Sequence, residues 1–254
     1  MPPRLGNLDL NSFAKLASAI NGYKTDKLVL KGVQILELHN EIDDDPADAL
    51  IPHTMHPAIP AYAILNIMHA PSSPWGAFTI GEIRVAGRTG VRPRGFVLRS
   101  YCDNDAARKE LAARWGYPVA AGAVSLVLRH DRVVGKIVVG GKTALEVELM
   151  DRDAISGGDI QYIASMHLAR NSEDGKLVLV QVDPEYTFSK AERGKPRVIA
   201  IDPTAFGATA SSLRLMNPIM ACFATADMTL PHIRYICNPE LPAMQGTTKV
   251  AVAA

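Results

Sequence analysis

The 254-residue chain is sparing with the residues that usually announce a function. It has three cysteines, two tryptophans and 6% aromatic residues, and its formal net charge is +1. The cysteines (Cys102, Cys222 and Cys237) are odd in number and lack metal or redox spacing. That excludes a disulfide framework and predicts free thiols in a reducing, cytoplasmic setting. Mixed charge gives no polyanion-binding face, so nucleic acid is not an expected partner. No apolar run approaches the roughly 18 residues of a membrane span. The opening Met-Pro-Pro-Arg-Leu-Gly lacks the apolar segment of a secretory signal. A soluble protein with no membrane partner is the expectation.

Nucleotide-binding and nucleophile motifs are missing as well. No Gly-x-Gly-x-x-Gly follows a strand, and Gly140-Gly141-Lys142-Thr143 matches only the end of a P-loop and sits at a hairpin. There is no Gly-x-Ser-x-Gly elbow. His39, His53, His56 and His69 come from separate segments, and no acidic or cysteine partner completes a ligand set. No metal or other cofactor is therefore expected.

What is present is a large apolar fraction, 48%, arranged mostly in strand-like runs. Residues 11–21 read as a helix capped by Asn11, with Phe13, Leu16, Ala17 and Ile20 on one face. Residues 28–39 read as a strand, the acidic stretch 41–48 as a loop, and Pro52, Pro57 and Pro60 exclude regular structure between 51 and 60. Further strands are expected at 62–69, 77–86, 95–102, 123–130, 132–139, 142–149, 159–170, 176–187, 196–201 and 219–227. Asp131-Arg132 and Gly140-Gly141 join three of them as an antiparallel meander. One helix interrupts the series, Asp105 to Arg114, with Asp103 or Asn104 as cap and Gly116 as stop. Many antiparallel strands with few helices favour a mainly β (α+β) barrel or curled sheet.

The stretch Tyr101-Cys102-Asp103-Asn104, a short helix, then Trp115-Gly116-Tyr117-Pro118-Val119-Ala120-Ala121-Gly122 resembles acetoacetate decarboxylase. The resemblance runs from about Ala49 to Leu230 and includes Trp75-Gly76, Gln161-Tyr162 and Ala226-Asp227-Met-Thr-Leu-Pro231. It implies an acetoacetate decarboxylase-like antiparallel β-barrel with flanking sheet and a few helices, an enclosed apolar cavity, and a homo-oligomer. The expected organisation is an N-terminal helical extension (1–25), the barrel domain (26–245) and a tail (246–254). In that family two adjacent lysines follow the Tyr-Pro pair, and one forms an imine with a β-keto acid. A lysine beside a second cation in an apolar site has its pKa lowered and becomes nucleophilic near neutral pH. Here those positions are Val119 and Ala120, which can form no imine. The family's glutamates align with Ile80 and fall near Leu65, and its arginine falls around Leu36.

Strand alternation points to replacements. Ile80, Glu82 and Arg84 share a face, so a pocket-facing Ile80 brings Glu82 and Arg84 with it to bind a carboxylate and move a proton. Gln161, Ile163, Ser165 and His167 form another face, with Gln161 as a pocket residue and His167 as general acid or base. Tyr101, Tyr117, Arg99, Val119 and Trp75 complete the candidate substrate-binding set. The basic turn Arg88–Arg94 is a candidate anion clamp, and Lys136 is a candidate relocated lysine. The leading expectation is a lysine-independent enzyme acting by acid–base chemistry on a small carbonyl or polyketide-like acid. Its reaction would be a dehydration, isomerisation, cyclisation or C–C cleavage, and secondary metabolism would be a natural setting. A non-catalytic small-molecule-binding protein and a decarboxylase with a relocated lysine are the alternatives.

Overall fold

The computed structural model describes residues 4–251. The chain begins with α1 (Leu10–Phe13), β1 (Ser18–Ile20), β2 (Leu28–Ile42), α2 (Asp44–Ala49), β3 (His56–Pro57), β4 (Tyr62–Ala70), β5 (Phe78–Thr89) and β6 (Arg92–Cys102). Next come α3 (Asp105–Trp115), β7 (Val119–Ala121), β8 (Ala123–Leu128), β9 (Arg132–Val139), β10 (Lys142–Ala154), β11 (Ala164–Asn171) and β12 (Leu177–Val182). The last part adds β13 (Glu185–Ile201), β14 (Leu215–Leu230), β15 (Tyr235–Cys237), α4 (Ala243–Gly246) and β16 (Thr247–Lys249).

These strands form one large sheet, ordered β16-β15-β12-β11-β6-β5-β4-β2-β14-β13-β10-β9-β8. Short β1, β3 and β7 pair with β11, β5 and β6. Most pairs are antiparallel; β6 runs parallel to both β7 and β11, and β1 parallel to β11. The mainly β class holds, but the expected closed barrel does not: β8 and β16 end the sheet without pairing to one another. Instead the β8–β10 meander folds back so that β8 lies against the faces of β4, β5 and β6. Side-chain packing, rather than a continuous ladder, brings this end of the sheet round.

Two glycines permit that approach. A Cβ on Gly135 of β9 would lie 2.7 Å from Ile67 Cγ1 and 3.2 Å from Ile67 Cβ. One on Gly81 of β5 would lie 2.6 Å from Ile67 Cδ1 and 2.7 Å from Ile137 Cδ1. The first core fills this fold-back, with Leu36, Leu65, Ile67, Ile83, Phe96, Val133, Ile137 and Phe223. A second core lies on the opposite sheet face, with Ile35, Met68, Ile80, Trp115, Tyr117, Ala169, Val180 and Met228.

Local chemistry explains most elements. Asn104 caps α3 by accepting from the N–H groups of Ala106 and Ala107 at 2.9 and 3.0 Å, and Gly116 ends it in the left-handed region. Gly140 and Gly141, both at positive φ, turn β9 into β10. The expected helix over 11–21 shrinks to four-residue α1 and the strand β1, because Ser18–Ile20 pairs with Ala169–Asn171. The acidic stretch expected as loop contains α2, with Asp44 and Asp45 in its first turn, where the helix dipole favours negative charge. The strand expected over 176–187 breaks at Asp183-Pro184, as a missing N–H requires.

The glycine at 135 supports a direct test. Gly135→Val is expected to destabilise the protein by about 1–3 kcal/mol through overpacking against Ile67. Urea unfolding of the variant beside wild type measures it, and an unchanged midpoint would contradict the fold-back contact.

Candidate active site

A row of polar side chains crosses the sheet on the face of the second core. Backbone pairing places Cys222 of β14 opposite Glu37 of β2, Glu37 opposite Asn66 of β4, Asn66 opposite Glu82 of β5, and Glu82 opposite Ser100 of β6. Ser100 is opposite Val119 of β7. Glu37, Asn66, Glu82 and Ser100 are all buried. Such groups stay inside only when they are hydrogen-bonded, and here they bond to one another. Asn66 Nδ2 donates to Glu37 Oε2 at 3.0 Å, and His39 Nε2 lies 2.9 Å from Glu37 Oε1. Ser100 Oγ donates to Glu82 Oε2 at 2.7 Å.

Arg84 lies one residue pair further along β5 on the same face. Its Nε donates to Glu82 Oε1 at 2.6 Å, its Nη2 is 2.5 Å from the same oxygen, and its Nη1 donates to the Ile163 carbonyl at 3.2 Å. Burial alone would push the Glu82 carboxyl up, but Arg84, His167 and the Ser100 hydroxyl outweigh it and hold the group below its ordinary value. Burial likewise opposes the Arg84 cation, and Glu82 and Glu37 more than restore it. The pair is a fixed carboxylate and a fixed guanidinium.

These residues border a small cavity. Its wall is made by Ile35, Met68, Met228 and Ile80 on the apolar side, and by Asn66, Glu82, Arg84, Tyr117, Ser165 and Tyr186 on the polar side. The space open to water centres is about 20 Å³, enough for roughly one water. Burial pushes the Tyr117 and Tyr186 phenols well above the ordinary tyrosine value, so both are neutral hydrogen-bond donors.

Behind Ser165 lies His167, fully buried and packed against Tyr117 with ring centroids 4.0 Å apart. Its Nδ1 is 2.9 Å from the Trp115 carbonyl, which only accepts, so Nδ1 carries the proton. Nε2 therefore accepts from Ser165 Oγ at 2.8 Å. Burial lowers the His167 pKa to about 4, against the opposing pull of Glu82 and the Trp115 carbonyl, and leaves the ring neutral near pH 7.

The sequence candidates divide. Ile80, Glu82, Arg84 and Tyr117 meet at the cavity, with His167 one hydrogen bond away. Val119 is half-buried beside Ser100 and packs on the second core. Tyr101 lies on the other sheet face: its hydroxyl donates to the Ala205 carbonyl and its ring packs edge-on against Phe206. Arg99 accompanies it there, half-buried. The reason is parity, since Ser100 is the β6 residue that faces Glu82. Gln161 is exposed beside Arg92 and Arg94, because β11 begins only at Ala164 and the alternation does not extend back to 161. Trp75 packs against Phe78 at the rim of the second core and does not line the cavity. Lys136 pairs with Glu146 at 2.7 Å on the meander, and among the described residues no lysine lines the cavity. Leu36 and Leu65 point into the first core. Glu37, Asn66, Ser100 and Tyr186 were missed. The available signal was a polar residue interrupting an apolar strand, as in Ile-Leu-Glu37-Leu and Ile-Leu-Asn66-Ile.

No family's sequence profile matches the chain, and no curated relative matches it. Solved structures do. The acetoacetate decarboxylase of Legionella pneumophila superposes with a TM-score of 0.72 at 18% identity, covering 84% of this chain and 88% of that one. The chain has the fold of acetoacetate decarboxylase. An acetoacetate decarboxylase-like enzyme from Sphingomonas wittichii RW1 gives 0.65 at 16% identity, over 90% of this chain and 97% of that one. The enduracididine biosynthesis enzyme MppR, complexed with pyruvate, gives 0.66 at 14% identity, over 81% and 88%. Within the acetoacetate decarboxylase fold, the positions that the sequence resemblance assigns to the lysine pair are split here. Val119 packs on the cavity-side core and Ala120 on the other. No helix among the described residues is long and apolar enough to cross a membrane.

The buried histidine predicts a pH signature. A folded pKa near 4 against an ordinary 6.5 means that the unfolded chain binds the proton first as pH falls. Stability is thus expected to fall from pH 6.5 toward 4, by about 1.4 kcal/mol per unit while only the unfolded chain is protonated. Urea midpoints across that range measure the slope. The variant His167→Gln is expected to flatten it; an equally steep slope in the variant would exclude His167 as its source.

Proposed function

We propose that the protein is an enzyme that acts on a small carbonyl-bearing acid by acid–base chemistry, without a lysine imine. The observation that carries this reading is the buried Glu82–Arg84 pair at the wall of a cavity that also presents Tyr117 and no lysine. Arg84 has N–H groups beyond those used by Glu82 and Ile163, and a guanidinium fork suits a carboxylate. Glu82 fixes that fork and keeps the cavity from holding a bare cation. Tyr117, kept neutral by burial, donates to the substrate carbonyl as charge develops on its oxygen. His167, neutral and oriented by the Trp115 carbonyl, stands one hydrogen bond behind the cavity and takes the proton through the Ser165 hydroxyl.

The ligands of MppR support this substrate class, since that enzyme binds pyruvate and the condensation product of pyruvate with imidazole 4-carboxaldehyde. Dehydration, isomerisation and cyclisation of a keto acid can each begin with proton transfer beside its carbonyl, and a C–C cleavage of the retro-aldol type begins with proton transfer from its β-hydroxyl. Assembly as a homo-oligomer and a place in secondary metabolism belong to the same proposal. The tight cavity favours one rival reading, a binding protein without turnover.

Pyruvate in deuterium oxide separates the readings. The wild type is expected to exchange the methyl protons, followed by NMR, and Tyr117→Phe to slow exchange by about 100-fold. Binding of pyruvate without exchange would overturn the acid–base reading. Borohydride added with pyruvate is expected to leave the protein mass unchanged; a reduced adduct on any lysine would overturn lysine independence.

A further inference from the structure

Ser165 is the one hydroxyl of the cavity wall that rests on a histidine. It is buried, it lines the cavity, and its Oγ–H points at His167 Nε2 at 2.8 Å. The imidazole is oriented by a third group, the Trp115 carbonyl at 2.9 Å from Nδ1. A hydroxyl, a neutral imidazole and an orienting acceptor in this order form the arrangement that activates a serine. The acceptor here is main chain, and its position strengthens the case. Trp115 is the last residue of the 11-residue helix α3, so its carbonyl belongs to the helix's negative end. That end is locked in place: the Trp115 indole donates to the Pro231 carbonyl at 3.0 Å, and a Cβ at Gly116 would come within 2.7 Å of Ala169 Cβ. Burial and Arg84 oppose positive charge on His167, and Glu82 and the Trp115 carbonyl partly offset them when the ring takes a proton. Arg84 and the neutral phenols of Tyr117 and Tyr186 share the cavity wall and can receive an oxyanion.

We propose that Ser165 is a nucleophile, with His167 as its base, and that the cavity therefore carries acyl-transfer chemistry toward small activated acyl compounds such as esters, thioesters or β-diketones. Ser165 Oγ adds to the carbonyl carbon as its proton passes to His167 Nε2, and the carbonyl oxygen becomes an oxyanion facing Arg84 and Tyr117. Collapse breaks the bond to the leaving group, which takes the proton from His167 and leaves an acyl-serine. A water then adds to the acyl carbon, gives its proton to His167, and releases the acid as Ser165 recovers that proton. The step goes beyond proton transfer and rests on the reading of the cavity as the active site only in that a small carbonyl compound must reach it.

Methanesulfonyl fluoride is a small serine-directed probe, and like any carbonyl substrate it enters only as the Met68 and Met228 walls of the cavity yield. Intact-mass measurement is expected to show one methanesulfonyl group added to the wild type, mapped to Ser165 by peptide analysis. The label is expected to be absent from Ser165→Ala and to form at least ~100-fold more slowly in His167→Gln. Ser165→Cys supplies an independent arm with iodoacetamide. The native thiols are poor competitors, since burial pushes Cys102 to about 11, Cys222 to about 12 and Cys237 above its ordinary value. Alkylation is expected at Cys in position 165 ahead of the other three. An unlabelled wild type, a label elsewhere, or a position-165 thiol no faster than the native thiols would overturn the proposal. Pyruvate exchange without sulfonylation would sink the serine alone; sulfonylation without exchange would sink the acid–base reading and leave the serine.

Discussion

The buried pair of Glu82 and Arg84 governs the chemistry of the second core. Taking either ion out of water carries a penalty of several kcal/mol, and removing one partner leaves the other uncompensated. The sheet offsets this penalty through its register. Ser100 and Asn66 arrive opposite Glu82, and Glu37 opposite Asn66, because β2, β4, β5 and β6 are paired residue for residue on that line. The strand that provides the carboxylate also provides the guanidinium, two residues on. The cluster is thus less a set of independent contacts than one outcome of strand pairing.

The same line accommodates a different set of residues on this fold. The resemblance to acetoacetate decarboxylase predicts a cation at Val119 or Ala120, carried on β7. In this chain Glu82 of β5 lies across Ser100 from Val119, and the cation, Arg84, sits two residues further along β5, opposite Val97. Val119 keeps its place beside the cavity-side core as an apolar filler. A permanently charged guanidinium cannot form an imine, but it holds carboxylates well. The change of residue type and the change of strand agree with the proposal that the carboxylate of a substrate is held by charge rather than its ketone by an imine.

Sequence patterning revealed the fold to a useful depth. The long strands, the Asn104 cap and the Gly140-Gly141 turn rest on local chemistry and are legible without coordinates. So is the shared face of Ile80, Glu82 and Arg84, because β5 alternates regularly around them. Tyr101 and Arg99 were read onto the wrong face because alternation within β6 does not say which set faces β5's carboxylate. Gln161 was misplaced because alternation was extended through residues that form a 3-10 turn at Gly157–Asp159 and an irregular link before β11. The contact of α3's final carbonyl with His167 joins residues 52 positions apart, and no local pattern encodes it.

The tightness of the cavity has an energetic consequence. Met68, Met228 and Tyr186 leave space for little more than a solvent molecule, so any larger ligand fits only a wider arrangement of these walls. Methionine side chains provide that freedom at low cost, being unbranched and polarizable. Measured affinity then equals the intrinsic affinity scaled by the fraction of molecules already dilated. Whatever loosens the two thioethers tightens binding without touching the ligand, and whatever packs them more firmly weakens it.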